Sequence, residues 1–388
     1  MMKIFYGVNE SGVAYWRGKV PGNKIIEKGL ADLTMFSVYD SVPSEMEKVI
    51  SSADVIYCPS PCGVEHVVEY IKYYQMGKAT VADYDDNLFD CHPFNPGYAT
   101  LGLKEVKVRL PDGREEHLWK DQRKGFSLKD NMMRFNSHVD VLNVSTLVTT
   151  TTPYLKASLL EKSSKSEDDF IILPNSVDFN VFRPFPHRLD HSKLRIGWAA
   201  SDSHLLEAQF IVKLVKRLLE KRNDFQFVIL GNIAELRRAA VNLPIEWHEF
   251  VDLSVYPLKL ASLEFDIGLC PLEDYSFNRA KSCLKWSEYG AMRIPSICQN
   301  LEAYDVVRDG VDGLLATDVD SFVEKIELLL DDSKKRKEIA DNAFDRNFED
   351  YNIDKNVHKW MDAFERAYML KDRVLTYKGE ALPIMGAK

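Results

Sequence analysis

A chain of 388 residues is too long for one ordinary hydrophobic core and suits two domains of common size. Its composition, 45% hydrophobic and 28% charged, is that of a globular protein, and a formal net charge of -9 argues against a nucleic-acid coat or an electrostatic membrane binder while leaving room for a local basic groove. The opening MMKIFYGVNE lacks the apolar core of a signal peptide, and no apolar run approaches the length of a membrane span, so the expectation is a cytoplasmic protein, peripheral to a membrane at most.

Short β-rich runs alternate with helical patterns, which predicts α/β units. In the first half the expected strands are Lys3–Val8, Leu33–Val38, Val55–Cys58, Thr80–Asp83, Leu147–Thr150 and Phe170–Leu173, with a helix over Val64–Tyr74. After the first strand stand Gly12, where the backbone can approach a ligand closely, then Tyr15 and Arg17. Arg17 would reach phosphate or acceptor, or else decorate a tight turn. Cys58 and Cys62 have a metal-like spacing, but no second Cys/His pair completes a zinc site. With Cys91, Cys270, Cys283 and Cys298 they read as reduced thiols, several inside apolar runs.

Asp83, Asp85 and Asp86 cluster just after a strand. They suit a metal-binding Asp-x-Asp pair, a cleft-facing acidic edge that contacts sugar or acceptor, or a polar turn. The segment Val106–Trp119 predicts a hairpin turning at Pro111-Asp112-Gly113, an insertion above the first domain over about 103–129. Its cations Lys107, Arg109, Arg114, Lys120, Arg123 and Lys124, interleaved with Trp119, fit contact with nucleic acid or a charged polymer, or a solvated hairpin.

Leu173-Pro174-Asn175-Ser176 closes the first half, and Phe182–His191 reads as a linker. The second half predicts strand Leu194–Ala199, helix Glu207–Arg222, strands Phe225–Leu230 and Ile245–Phe250, helix Tyr256–Ser262 and strand Ile267–Cys270. A helix from about Lys281, strand Pro295–Gln299 and helices Ser321–Asp331 and Lys334–Asn347 follow. The last helical stretch, Lys355–Val374, carries Trp360, Phe364, Ala367 and Leu370 on one stripe and has no sheet of its own, so it should cross to another surface. The expected division is 1–180, 181–352 and a returning helix in 353–388, with ligands in the cleft facing the carboxyl ends of both sheets.

The stretch EDYSFNRAKSCLKWSEYGAMRIPSI, Glu273–Ile297, is the most informative. A strand, a polar loop and a helix start form an anion site, because the first helical amides have no internal partners. Lys281, Lys285 and Glu288, at i, i+4 and i+7, would share one helix face. Two cations and a carboxylate one turn beyond suit a diphosphate followed by a ribose, or else an exposed face with one Lys–Glu pair.

This stretch resembles the donor-binding segment of retaining group 1 glycosyltransferases of the GT-B type, through Phe277-Asn278, Lys281-Ser282, Lys285, Glu288-Tyr289, Ala291 and Pro295. Four further segments agree in order: Asn9–Gly22, Ala82–Phe89, Ile172–Pro184 and Val307–Asp318. The resemblance implies two Rossmann-like domains and a transfer from a UDP- or GDP-type sugar with no required cofactor or metal. Lys281 would bind the diphosphate and Glu288 the ribose, with Gly12, Ser201, His204, Asn278, Ser282 and Lys285 around the donor. Catalytic roles fall to Lys281, Asp85 and Arg17, and acceptor contacts to Tyr15 and Asp86. The expected acceptor is a saccharide or lipid-linked glycan, with hydroxymethylated DNA as the rival and a non-catalytic scaffold as the other-class alternative. One position departs from the pattern: where the family commonly has a glutamate that helps hold the sugar, this chain has Ala280. Glu273, Asp274 and Asn278 are the substitutes within reach in sequence.

Overall fold

In the computed structural model the described residues are 1–8, 11–37, 43–185, 191–201 and 204–382. The first lobe contains β1 (Lys3–Val8), β2 (Asp32–Ser37), β3 (Val55–Pro59), β4 (Ala79–Tyr84), the hairpin strands β5 (Val106–Arg109) and β6 (Glu115–Trp119), then β7 (Leu147–Thr150) and β8 (Phe170–Ile172). Six of these form one parallel sheet in the order β2-β1-β3-β4-β7-β8. β4 and β7 are buried along their whole length, as expected for central strands of a parallel sheet covered on both faces.

The second lobe repeats the plan with β9 (Leu194–Ala199), β10 (Phe225–Leu230), β11 (Ile245–His248), β12 (Ile267–Cys270), β13 (Ser296–Gln299) and β14 (Leu314–Ala316). These pair in parallel in the order β11-β10-β9-β12-β13-β14. Strand order reverses between β1 and β3 in one sheet and between β9 and β12 in the other. Neighbouring connections leave in opposite directions there, opening a crevice at the carboxyl ends of the strands.

The GT-B architecture is completed by the helix Ile353–Leu370, which returns to the first lobe. Its Trp360 and Phe364 rings meet Tyr57 at 5.8 and 5.7 Å, and Phe364 also meets Tyr6 at 5.8 Å. Each such buried aromatic contributes about 1.5–3 kcal/mol, so the helix is held by its apolar stripe. The two chain crossings between lobes bind each other: Val177 N–H donates to the Tyr351 carbonyl (2.7 Å) and Ile353 N–H to the Val177 carbonyl (3.0 Å). Among the described residues no helix is long and apolar enough to cross a membrane.

Most expected elements differ from the structure by a residue or two at their ends, where helices and strands fray. Helices Pro43–Ser52, Leu128–Val144 and Pro153–Lys162 and the short β14 had no expectation. Residues Asn9 and Glu10 of the first loop, Val38, positions 186–190 of the linker, Asp202 and Ser203 lie outside the described residues. The start of the expected linker is core: Phe182 is buried against Trp16, with centroids 5.4 Å apart.

Two larger corrections bear on the site. The segment expected as a Gly-containing loop is helical from Gly12, with the Ser11 hydroxyl accepting from Ala14 N–H at 3.1 Å as its cap. It widens to a π turn over Tyr15–Lys19 before continuing as Val20–Glu27. Pro21 has no N–H to offer the Arg17 carbonyl, and the Tyr57 hydroxyl donates to it instead at 2.8 Å. The helix expected from about Lys281 runs from Leu284 to Ala291, so Lys281 precedes it in the loop and does not share its face.

Candidate functional site

A cavity of about 250 Å³ opens where the carboxyl edges of the two sheets face each other. From the first lobe, Gly12, Val13 and Trp16 follow β1, and Asp85 and Asp86 follow β4. From the second, Ser201 and His204 follow β9, Leu272 follows β12, and Tyr304 follows β13. Lys281, Ser282, Leu284, Lys285 and Glu288 complete the wall. Two helix starts, at Gly12 and Leu284, belong to this wall, and each brings the positive end of a helix to it. A Cβ added at Gly12 would meet nothing within 4 Å, so the backbone there is open to an approaching group.

The helix Leu284–Ala291 is locked to β9. Gly268 makes room for the Tyr289 ring, since a Cβ there would lie 2.5 Å from it. The Tyr289 hydroxyl accepts from Ala199 N–H at 3.1 Å, and the Lys285 ammonium donates to the Ala199 carbonyl. Glu288 is buried and accepts from the Tyr256 hydroxyl at 2.9 Å. Burial raises its carboxyl above the ordinary value, against the pull of Lys285 and Tyr256. Lys281 lies 4.9 Å over the Phe277 ring with its ammonium 3.8 Å from Asp86.

Asp85 is raised to about 6 by burial first and by Asp86 second, with Arg17 and Lys281 opposing. It accepts from the Asn175 amide at 3.1 Å, and the same amide reaches Ser282 Oγ at 3.0 Å. Asn175, on the crossing between lobes, thereby ties an acid of one lobe to the Lys281–Ser282 loop of the other. On the opposite side, His204 sits 3.6 Å from buried Glu207. Burial lowers the His204 imidazole below its ordinary value. Burial opposes the charge on Glu207, but its bonds from His204 and the Glu273 amide hold it down at about 2.

Three predicted residues are not brought to the cavity. Arg17 is fully buried and gives a bidentate pair to Asp83 (2.9 and 2.6 Å), with further bonds to the Leu173 carbonyl (2.6 Å) and Asn175 Oδ1 (3.1 Å). It lies 4.6 Å over the Trp360 ring, so its charge is consumed inside the first lobe. This also splits the acidic cluster: Asp83 faces the core, where it accepts from Thr149 at 2.6 Å, and only Asp85 and Asp86 reach the cleft. Asn278 is buried, donating to Glu207 (2.7 Å) and the Glu273 carbonyl (2.9 Å), and it shapes the loop from beneath. Tyr15 sits edge-on to Trp16 at 5.1 Å, and Trp16 is the residue on the wall.

The Ala280 departure has a structural counterpart. Ala280 is fully buried in an apolar cluster with residues of the first lobe, and its carbonyl accepts from Thr152 Oγ1 at 3.0 Å. Of the three substitutes, Asn278 is engaged below, Asp274 is exposed and bonded to Arg279 at 2.7 and 2.8 Å, and Glu273 is exposed. Among the described residues, the carboxylates on the first-lobe wall of the cavity are Asp85 and Asp86. Glu207, Trp16 and Asn175 were not foreseen. Only Glu207 carried a usable signal, three residues after His204 at a helix start.

Residues 195–332 match the family model of Glycosyl transferases group 1. Against curated protein sequences the chain finds no match. Solved structures share the fold across nearly the whole chain. HepE from Anabaena, in complex with UDP and glucose, is 12% identical, with 94% of this chain and 100% of that one covered at a TM-score of 0.65. A glycosyltransferase from Rickettsia africae is 13% identical, with 94% and 98% covered and a TM-score of 0.65. Sucrose-phosphate synthase from Thermosynechococcus elongatus is 11% identical, with 95% and 100% covered and a TM-score of 0.63. The second lobe therefore carries the match to the group 1 glycosyltransferases, and the whole chain has the fold of solved GT-B glycosyltransferases.

Proposed function

We propose that the chain transfers a glycosyl group from a UDP-sugar to a saccharide acceptor, with retention at the anomeric carbon. The observation that carries this is the convergence of two helix starts, Lys281, Lys285 and Glu288 on one cavity, opposite Asp85 and Asp86. The diphosphate would lie against the amides at Leu284 and the ammonium of Lys281, and the ribose hydroxyls would donate to Glu288. When the anomeric C–O bond to the diphosphate breaks, negative charge grows on the leaving oxygen. Positioned cations and amides in a partly closed cleft stabilise that charge. The acceptor oxygen forms the new bond and its proton passes to the leaving diphosphate. The reading calls for no metal, because cations of the protein already stand where the charge develops. Asp85 and Asp86 take the hydroxyl-binding part that Ala280 cannot.

Support for a uridine donor comes from neighbours of the same fold: HepE was solved with UDP-glucose, and TarM with UDP and α-GlcNAc-glycerol. The DNA rival finds two cations of the hairpin already engaged, Lys107 with Glu115 (3.8 Å) and Arg114 with Asp112 (2.7 Å). Thermal melts with UDP, GDP and ADP test the donor. At about 100 times its Kd a native-state ligand adds about 2.7 kcal/mol, so UDP should raise Tm while Lys281→Ala removes the effect. Equal shifts with all three nucleotides, or an undiminished shift in the variant, would overturn the assignment.

A further inference from the structure

A second cavity lies beside the one proposed for the donor. It holds about 340 Å³ and lies where the insertion of the first lobe meets the segment leading to Lys281. Phe89, His92 and Tyr98 from the first lobe and Tyr275 from the second give it aromatic walls. The His92 and Tyr275 rings are 4.9 Å apart, and beside them Asn87 Nδ2 donates to Ser276 Oγ across the lobes at 3.1 Å. The pocket is therefore complete only when the two lobes face each other.

Its frame is braced from outside. Trp119 of the hairpin donates to the Pro93 carbonyl at 2.6 Å. Asn131 donates to the carbonyls of Ala99 (3.1 Å) and Gly102 (2.8 Å), and Arg134 to that of Thr100 (2.9 Å). Tyr98 stacks on Phe126 with rings inclined by 4°. A loop held at so many carbonyls keeps its ring faces fixed, which lowers the cost of ordering on binding. The polar equipment is sparse and oriented. Phe94 N–H donates to His92 Nδ1 at 3.2 Å, which leaves the imidazole proton on Nε2 as a donor. Asp90 and Lys104 at the rim are opposite charges, so the pocket has no net preference for an anion.

The pocket also neighbours the donor cavity. Asp86, on the wall of the first cavity, is followed directly by Asn87, and Phe89 comes three positions after Asp86. Tyr275 opens the short helix Ser276–Arg279 that leads into Lys281. The thiol of Cys91, on the pocket wall, is pushed up to about 12 by burial first, and the fields of Asp86 and Lys281 both reach it.

We propose that this pocket seats the acceptor as a neutral pyranose, its C–H face against Tyr275 and His92 and one hydroxyl turned toward Asp86. Its role as acceptor site rests on the nucleotide reading of the first cavity. Aromatic faces match the apolar side of a sugar ring, and a few fixed donors and acceptors match its hydroxyls. A nucleic-acid acceptor would need cations at the rim to neutralise phosphates.

The test uses the full chain, saturated with UDP, on an array of neutral glucan, mannan, galactan and N-acetylhexosamine oligomers. The wild type should retain at least one class. Tyr275→Ala and His92→Ala should each lower retention by about tenfold, and Tyr275→Trp should keep it. UDP affinity of all variants, read by calorimetry, should stay within about twofold of the wild type. No retained neutral glycan, unchanged retention in both alanine variants, or displacement of the glycan by a single-stranded DNA oligomer would overturn the proposal. A wild type that fails to bind UDP yet retains glycan in a Tyr275-dependent way would instead refute the nucleotide site, while leaving this pocket a saccharide site.

Discussion

Arg17, in the helix after β1, and Lys281, in the loop after β12, stand at matching edges of the two sheets, and they have opposite surroundings. Arg17 is sealed among Asp83, Leu173 and Asn175 under the returning helix. Lys281 keeps about a quarter of its side chain exposed, at 23%, with one acid 3.8 Å away. A cation is free to act on a ligand only when the fold has not already matched it. In the first lobe the charge holds the sheet edge and the lobe crossing in place, and in the second it is held ready at the cavity.

This contrast can be broken experimentally, beginning with the largest effect. Arg17→Met leaves Asp83 buried without its partner and should cost about 3–5 kcal/mol in urea unfolding, because a half-broken buried pair is worse than none. UDP affinity of the folded variant should be unchanged; a selective loss of UDP binding at full stability would place Arg17 in the site after all. Lys281→Ala should show the reverse, a fall of about 10²–10³ in kcat/KM with no change in the melting transition, the scale of removing one charge-stabilising donor. Glu288→Gln keeps the Tyr256 contact but loses the charged acceptor. A rise in donor KM of about tenfold or more, at little cost in kcat, is expected from a hydrogen bond to a charged group worth about 1.5–3 kcal/mol. An effect confined to kcat would contradict a ribose role.

The smallest effect is in pH. Asp85 is raised to about 6, so its carboxylate form, needed to accept from a sugar hydroxyl, is lost below that value. Rate should fall about tenfold per pH unit on the acid side, and Asp85→Asn should remove that limb from the profile. For stability the sign is opposite. A carboxyl whose folded value is raised favours the protonated form, so its contribution is present below the unfolded value and lost as pH rises toward 6. Asp85→Asn should therefore flatten the stability profile between those values.

The strands were legible because parallel strands buried on both faces favour apolar runs, as in Phe227–Leu230 of β10. That Lys281, Ser282, Lys285 and Glu288 share one cavity was legible because these residues lie close together in the chain. What escaped notice depended on distant partners. Nothing near Arg17 in sequence shows that Asp83 and Trp360 will enclose it. The widening of its helix follows from Pro21, but the carbonyl left over is answered by Tyr57 from another strand. The hairpin read as a strip of cations, whereas in the structure Trp119 reaches under the Pro93 carbonyl and braces an aromatic pocket.

By itself the amino-acid order determined the two α/β repeats, the apolar stripe of the final helix and the Lys281–Glu288 segment, since periodicity and local spacing are properties of the chain alone. Tertiary structure decided which charges stay available. Asp83 and Arg17 vanish into the core while Asp85 and Asp86 face the cleft, because burial is tolerated only for groups whose partners arrive from elsewhere in the fold.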